Sequence, residues 1–159
     1  MSQPLILPMA AHAALAALLY ALLTLARAPR VWNLGLRADG SNPWAAAEPR
    51  ISANLSNQFE WPMFFHVACL LLMQVQADGG AAVPLAWLFV VGRVVHSMVQ
   101  VGTANVRLRG LVFMVNFLAV LGLWGLPMPI VEAVAAAQGH LAHADAGASA
   151  YQRQLGQVV

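Results

Sequence analysis

The sequence predicts an all-α integral membrane protein, a bundle of four membrane-spanning helices. Three observations carry this. Hydrophobic residues make up 60% of the 159-residue chain and charged residues 9%, against roughly 45–50% and about 25% in an average soluble domain. Four stretches are each long and apolar enough to cross a bilayer, which takes about 20 residues. The arginines collect in alternate connections between those stretches. A chain so poor in charge cannot cover the surface of a water-soluble fold, which excludes a disordered chain, a nucleic-acid-binding domain and an ordinary cytosolic enzyme. The 8 basic residues are all arginine, against 6 acidic ones, too few for a nucleic-acid patch. The single cysteine, Cys69, makes neither a disulfide framework nor a cysteine-rich metal site. It sits in an apolar stretch and reads as packing.

The first span is expected at about residues 5–26, interrupted only by Pro8 and His12. Ala26-Arg27-Ala28 has the small residues of a signal cleavage site. However, no basic side chain precedes the apolar run, and the run is far longer than a signal core, so it reads as a retained helix. The second span is expected at 51–75, with a polar first half, and the third at 81–101, carrying Arg93 and His96. The fourth is expected at 111–131. Lipid cannot hydrogen-bond an exposed backbone, so all four should be helices. Residues 133–159 form an Ala- and Gln-rich tail. Its His140 and His143 have no third ligand nearby, and no metal is expected there or elsewhere. No internal repeat is evident.

Function should lie where polar groups enter the membrane, because a charge at a helix centre costs at least ~2.5 kcal/mol. In the second span Arg50, Asn54 and Asn57 share a stripe about 60° wide at 3.6 residues per turn, and Glu60 lies one step further round. Pro49 suits a first helical turn. Pro62 interrupts the ladder beside Glu60 and predicts a kink. In the third span Arg93, His96 and Gln100 recur at i, i+3 and i+7, on one face. Arg107 and Arg109 follow at the mouth of the fourth. The second and third spans are antiparallel neighbours, so these faces can meet. Two readings stand side by side. Arg93 can pair with Glu60 as a structural lock, with Asn54, Asn57 and Gln100 as interhelical glue and His96 as a satisfied core residue. Alternatively, Glu60 is one carboxylate among Arg50, Arg93, Arg107 and Arg109, and the surplus cations serve an anionic ligand. A small transporter is a third possibility, disfavoured by the lack of an inverted repeat.

The pattern Arg50-x-x-x-Asn54, Asn57-x-x-Glu60-x-Pro62-x-Phe64, Arg93-x-x-His96, then Arg107 and Arg109 before an apolar helix, resembles the MAPEG family, the membrane-associated proteins of eicosanoid and glutathione metabolism. The resemblance covers about residues 5–131 and is strongest to poorly characterised bacterial members. It implies a homotrimer of four-helix protomers in a bacterial inner membrane, with glutathione as co-substrate between subunits near the cytoplasmic end. It further implies transferase or peroxidase activity on lipophilic molecules dissolved in the lipid bilayer. On the family pattern Arg50, Asn54, Glu60, Arg93 and His96 match glutathione-binding positions, with Asn57 satisfying the Asn-x-x-Glu spacing to Glu60. Arg107 or Arg109 matches the arginine credited with activating the thiol. Gln100 stands where a tyrosine is common. A non-catalytic protein of the same fold, binding an anionic lipid or modulating a partner, is the alternative.

Orientation follows from the arginines. Arg27, Arg30 and Arg37 lie in the first connection and Arg107 and Arg109 in the third, whereas the second has only Asp78. By the positive-inside rule the first and third connections are cytoplasmic, and both termini lie on the other side. An alkaline phosphatase fusion at Val159 should therefore be active and a fluorescent-protein fusion dark; the reverse pattern would invert the topology.

Overall fold

The computed structural model describes residues 4–127 and position 138. Described here are α1 (Ile6–Trp32), α2 (Glu48–Ser56), α3 (Pro62–Gln74), α4 (Ala82–Gly102) and α5 (Val106–Gly125). Three of these, α1, α4 and α5, are long and apolar enough to cross a membrane. Leu18, Leu25, Leu70, Val91, Met98, Leu111 and Leu118 are exposed around the outside, an apolar surface suited to lipid rather than water. The chain is an all-α membrane protein. The tail with His140 and His143, and the end of the expected fourth span, lie outside the described residues.

The expected second span is two helices rather than one. The α-helical ladder stops at Ser56, and the chain passes through residues 57–61 on tight i→i−3 bonds, Gln58 N–H to Leu55 O (3.0 Å) and Phe59 N–H to Ser56 O (3.0 Å). Pro62 is the cause. It has no N–H to continue the ladder and its ring crowds the carbonyl four residues back. The chain restarts with Pro62 as the first residue of α3, where a missing N–H costs nothing. Two smaller shifts matter for the site. The first helix continues to Trp32, so Arg27 and Arg30 are helical. The last helix begins at Val106, so Arg107 and Arg109 sit in its first turn.

Helix α4 is the centre and packs on each of the others. Two apolar clusters bracket it. One joins Phe65, Cys69 and Leu72 of α3 with Ala86 and Phe89 of α4 and Val120 and Leu123 of α5. The other joins Leu19, Leu23 and Ala26 of α1 with Ile51 and Leu55 of α2. Cys69 is fully buried in the first, as packing. Trp124 Nε1 donates to Phe64 O (3.1 Å) and ties α5 to α3. The connection after α1 is held by turns. Asn42 Oδ1 accepts from Trp44 N–H (2.8 Å). The Ser41 hydroxyl, then its amide, donate to Asp39 Oδ1 and hold that carboxyl below the usual carboxylate range. Arg27 pairs with Glu48 at 3.0 Å, the one ion pair among the described residues. At the surface such a pair contributes little.

The close approach of α4 and α5 depends on Gly92. A Cβ there would collide with Asn116 Oδ1 of the facing helix, and Asn116 is fully buried. Replacing Gly92 with Ala should cost about 1–3 kcal/mol, the usual penalty of overpacking. It should appear as a lower midpoint of thermal unfolding in detergent, and an unchanged midpoint would contradict this packing.

Candidate functional site

Between the two apolar clusters lies a polar layer, and its hub is Gln58. Arg93 of α4 is 1% exposed. Its Nε donates to Gln58 Oε1 (3.1 Å) and its Nη2 to the backbone carbonyl of Asn57 (2.8 Å). In an unbroken helix that carbonyl would be taken by the ladder. The break before Pro62 leaves it free for the guanidinium. Gln58 Nε2 in turn donates to Asn54 Oδ1 and to Ser97 Oγ, both at 3.2 Å. Gln100 Oε1 accepts from Asn54 Nδ2 (2.9 Å) and Asn57 Nδ2 (3.2 Å). The carboxamides of α2 thus meet the polar face of α4, as the antiparallel arrangement of the two spans requires.

The structural lock between Arg93 and Glu60, one of the two readings of the sequence, does not form, since no ion pair joins them. Glu60 lies beyond the end of α2, within the break, and is exposed on the wall of a cavity of about 330 Å3 that Asn57 also lines. Arg93, His96, Gln100, Trp61 and Arg109 line that cavity with it. Two buried donor or acceptor atoms here have no partner among the described residues, His96 Nδ1 and Trp61 Nε1. Buried polar groups left unpaired cost about 1–3 kcal/mol each, so a ligand polar group that reached them would be well placed. A neighbouring cavity of about 300 Å3 is lined by Arg50, Ala53, Gln100, Asn105 and Arg109. Gln100 and Arg109 line both.

Arg109 reaches both cavities because of how α5 starts. Thr103 Oγ1 accepts from Asn105 N–H (3.2 Å), and Asn105 Oδ1 caps Leu108 N–H (3.0 Å). This short capped turn fixes where α5 starts, and the packing of α5 on α4 sets its rotational phase. Arg109 and Arg107 are two residues apart, about 200° around a helix. Arg107 lines none of the described cavities. Asn54 is fully buried within the network rather than on a cavity wall.

Sequence reasoning passed over Gln58, His12 and His66. Gln58 is 2% exposed and His12 3% exposed. His12 Nε2 lies 3.1 Å from Gln58 Oε1, and its Nδ1 3.0 Å from His66 Nε2. A signal existed: each histidine is a solitary ionisable residue in an apolar run, which inside a membrane needs a partner. Gln58 follows Asn54 by one helical turn.

These features define a helical membrane protein with a buried polar layer opening on arginine-lined cavities. The MAPEG family model matches residues 5–128, and the chain belongs to that family. No curated protein and no solved structure matches it.

Removing the hub should be costly. Gln58→Ala leaves Arg93 Nε, His12 Nε2 and Asn54 Oδ1 without partners, a loss of more than about 2 kcal/mol at the per-group scale for unsatisfied buried atoms. Thermal unfolding in detergent checks it, with Gln58→Glu as comparison; stability equal to wild type in Gln58→Ala would refute the hub.

Proposed function

We propose that the protein is a membrane-embedded glutathione-dependent transferase or peroxidase acting on lipophilic electrophiles, assembled as a homotrimer. The observation that carries this reading is the cavity that joins Arg93 and Arg109 with one carboxylate, Glu60, and two unpartnered buried atoms. Glutathione has two carboxylates, one ammonium and one thiol. The arginines complement its carboxylates, since a guanidinium donates in a planar fork. Arg50 extends this set into the neighbouring cavity. Glu60 complements the ammonium. Trp61 Nε1 and His96 Nδ1 supply further hydrogen-bonding atoms, and Asn54 and Asn57 hold the wall.

Chemistry would centre on Arg109. A free thiol has a pKa of about 8.5, and a neighbouring cation stabilises the thiolate that attacks. The thiol proton leaves to water. The sulfur lone pair then forms a bond to an electrophilic carbon, which expels its leaving group, or to the terminal oxygen of a hydroperoxide, whose O–O bond breaks so that the other oxygen takes a proton and leaves as the alcohol. The sulfenic acid left on sulfur is then attacked by a second glutathione thiol, giving the disulfide and water. An apolar protein exterior admits such electrophiles from the bilayer. Arg109 is preferred to Arg107 because it alone lines the cavities.

One observation favours the non-catalytic alternative. Gln100 has its acceptor oxygen occupied by Asn54 and Asn57, so at this position the chain invests in interhelical structure rather than in a tyrosine hydroxyl. In that reading the same arginines hold an anionic lipid headgroup.

The test is thiolate absorbance and turnover of a generic electrophile against pH, in protein whose trimeric mass has been verified by cross-linking. Arg50→Ala should weaken glutathione binding by roughly 1.5–3 kcal/mol, the scale of a charge-assisted hydrogen bond. Arg109→Ala should instead raise the apparent pKa of the bound thiol and lower kcat at neutral pH, with the loss recovered as pH rises. Arg107→Ala should match wild type. Folded trimer with neither saturable glutathione binding nor a thiolate band would leave the lipid-binding alternative.

A further inference from the structure

A separate cavity of about 500 Å3 lies between α1 and the α2–α3 break, lined by His12, Ala16, Tyr20, Gln58, Phe59 and His66 among others. We propose that it binds a bilayer-dissolved lipophile whose head is a neutral hydroxyl donor, an alcohol or phenol, held by His66 Nδ1. The proposal does not depend on glutathione binding and concerns a different cavity.

The choice of head follows from the direction of the hydrogen bonds. Arg93 can only donate, so the Gln58 atom 3.1 Å from its Nε is the oxygen. That same oxygen is 3.1 Å from His12 Nε2, which must therefore carry a hydrogen. In the neutral ring His12 Nδ1 is then bare, and it lies 3.0 Å from His66 Nε2. His66 Nε2 must donate to it, which leaves the Nδ1 of neutral His66 as a bare acceptor. Among the described residues nothing bonds to that atom. A guanidinium one side of the layer thus sets the hydrogen-bonding sense of a ring on the other.

The rest of the wall selects the body and the charge. Among the described residues no Arg, Asp or Glu lines the cavity, so an anion would find no counter-charge there and its oxygen would oppose the His66 lone pair. Ala13, Ala16 and Ala17 form a floor of small side chains along α1. From His12 to Tyr20 this floor is about 12 Å long at 1.5 Å per residue. The Tyr20 and Phe59 rings lie 6.0 Å apart. Tyr20, Phe59 and Met63 are exposed on the surface of the protomer and give the cavity an apolar rim that matches the body of a lipophile.

The full-length chain in lipid nanodiscs, titrated with para-octylphenol and its methyl ether para-octylanisole, tests this. The two probes share an apolar body, and only the phenol can donate. The phenol should bind saturably, with the ether about 3- to 10-fold weaker, the scale of one net hydrogen bond. Histidine nitrogen NMR should show His12 and His66 both protonated at Nε2 before ligand is added, and a shift of His66 Nδ1 with the phenol alone. His66→Phe should abolish the preference while leaving weaker binding of both probes. Ala17→Trp, a change at an exposed position, should fill the floor and abolish both. Equal affinities, a preference that survives His66→Phe, binding untouched by Ala17→Trp, or partitioning that never saturates would each overturn the proposal. So would an altered oligomeric mass in Ala17→Trp with no probe binding to wild type, which would make the groove a subunit contact.

Discussion

The structure turns on how a guanidinium is kept inside a membrane bundle without a carboxylate against it. Arg93 is buried, and among the described residues no acidic side chain lies within ion-pair distance. Its charge is met by two carbonyl oxygens, the Gln58 side chain and the Asn57 backbone. The backbone oxygen is available only because the helix is broken there, and the helix is broken because Pro62 cannot carry the ladder through. One proline therefore supplies the acceptor for one arginine. Non-helical backbone at membrane depth is tolerated where protein covers it or a cavity adjoins it, and both hold at residues 57–61.

The rest of the polar layer follows from that contact. Arg93 fixes the orientation of the Gln58 amide, Gln58 fixes Asn54, and Asn54 joins Asn57 on Gln100. Each carboxamide has at least one partner on another helix, so the layer holds α1, α2 and α4 in register. The apolar clusters on either side confine it and exclude competing water, which makes these bonds stronger and their loss more costly.

The same geometry separates two kinds of surface. Toward α5 the layer presents cations, with Glu60 released from the lattice of bonds and Arg109 brought in by the capped turn at Asn105. Toward α1 it presents histidine nitrogens in an apolar wall. This division arises from the placement of a single glutamine between Arg93 and His12.

Much of this was legible in the residues themselves. Hydropathy alone located α1, α4 and α5, because an apolar run of that length has no other use. Helical period put Arg93, His96 and Gln100 on one face, and Asn54 and Asn57 on another, and these faces do meet. Three things were decided only by tertiary structure. Charge suggested that Glu60 would pair with Arg93, but an unbroken helical wheel does not describe residues beyond a broken ladder, and Glu60 lines the cavity wall instead. Spacing alone does not say which of Arg107 and Arg109 faces the cavities, because they differ by about 200° in direction and the packing of α5 against α4 sets the phase. Gln58, His12 and His66 carry no permanent charge and sit 46 and 54 residues apart along the chain from their partners. Sequence determines which groups must be satisfied inside a membrane; which partner satisfies each depends on packing between distant segments, and that is a property of the folded chain.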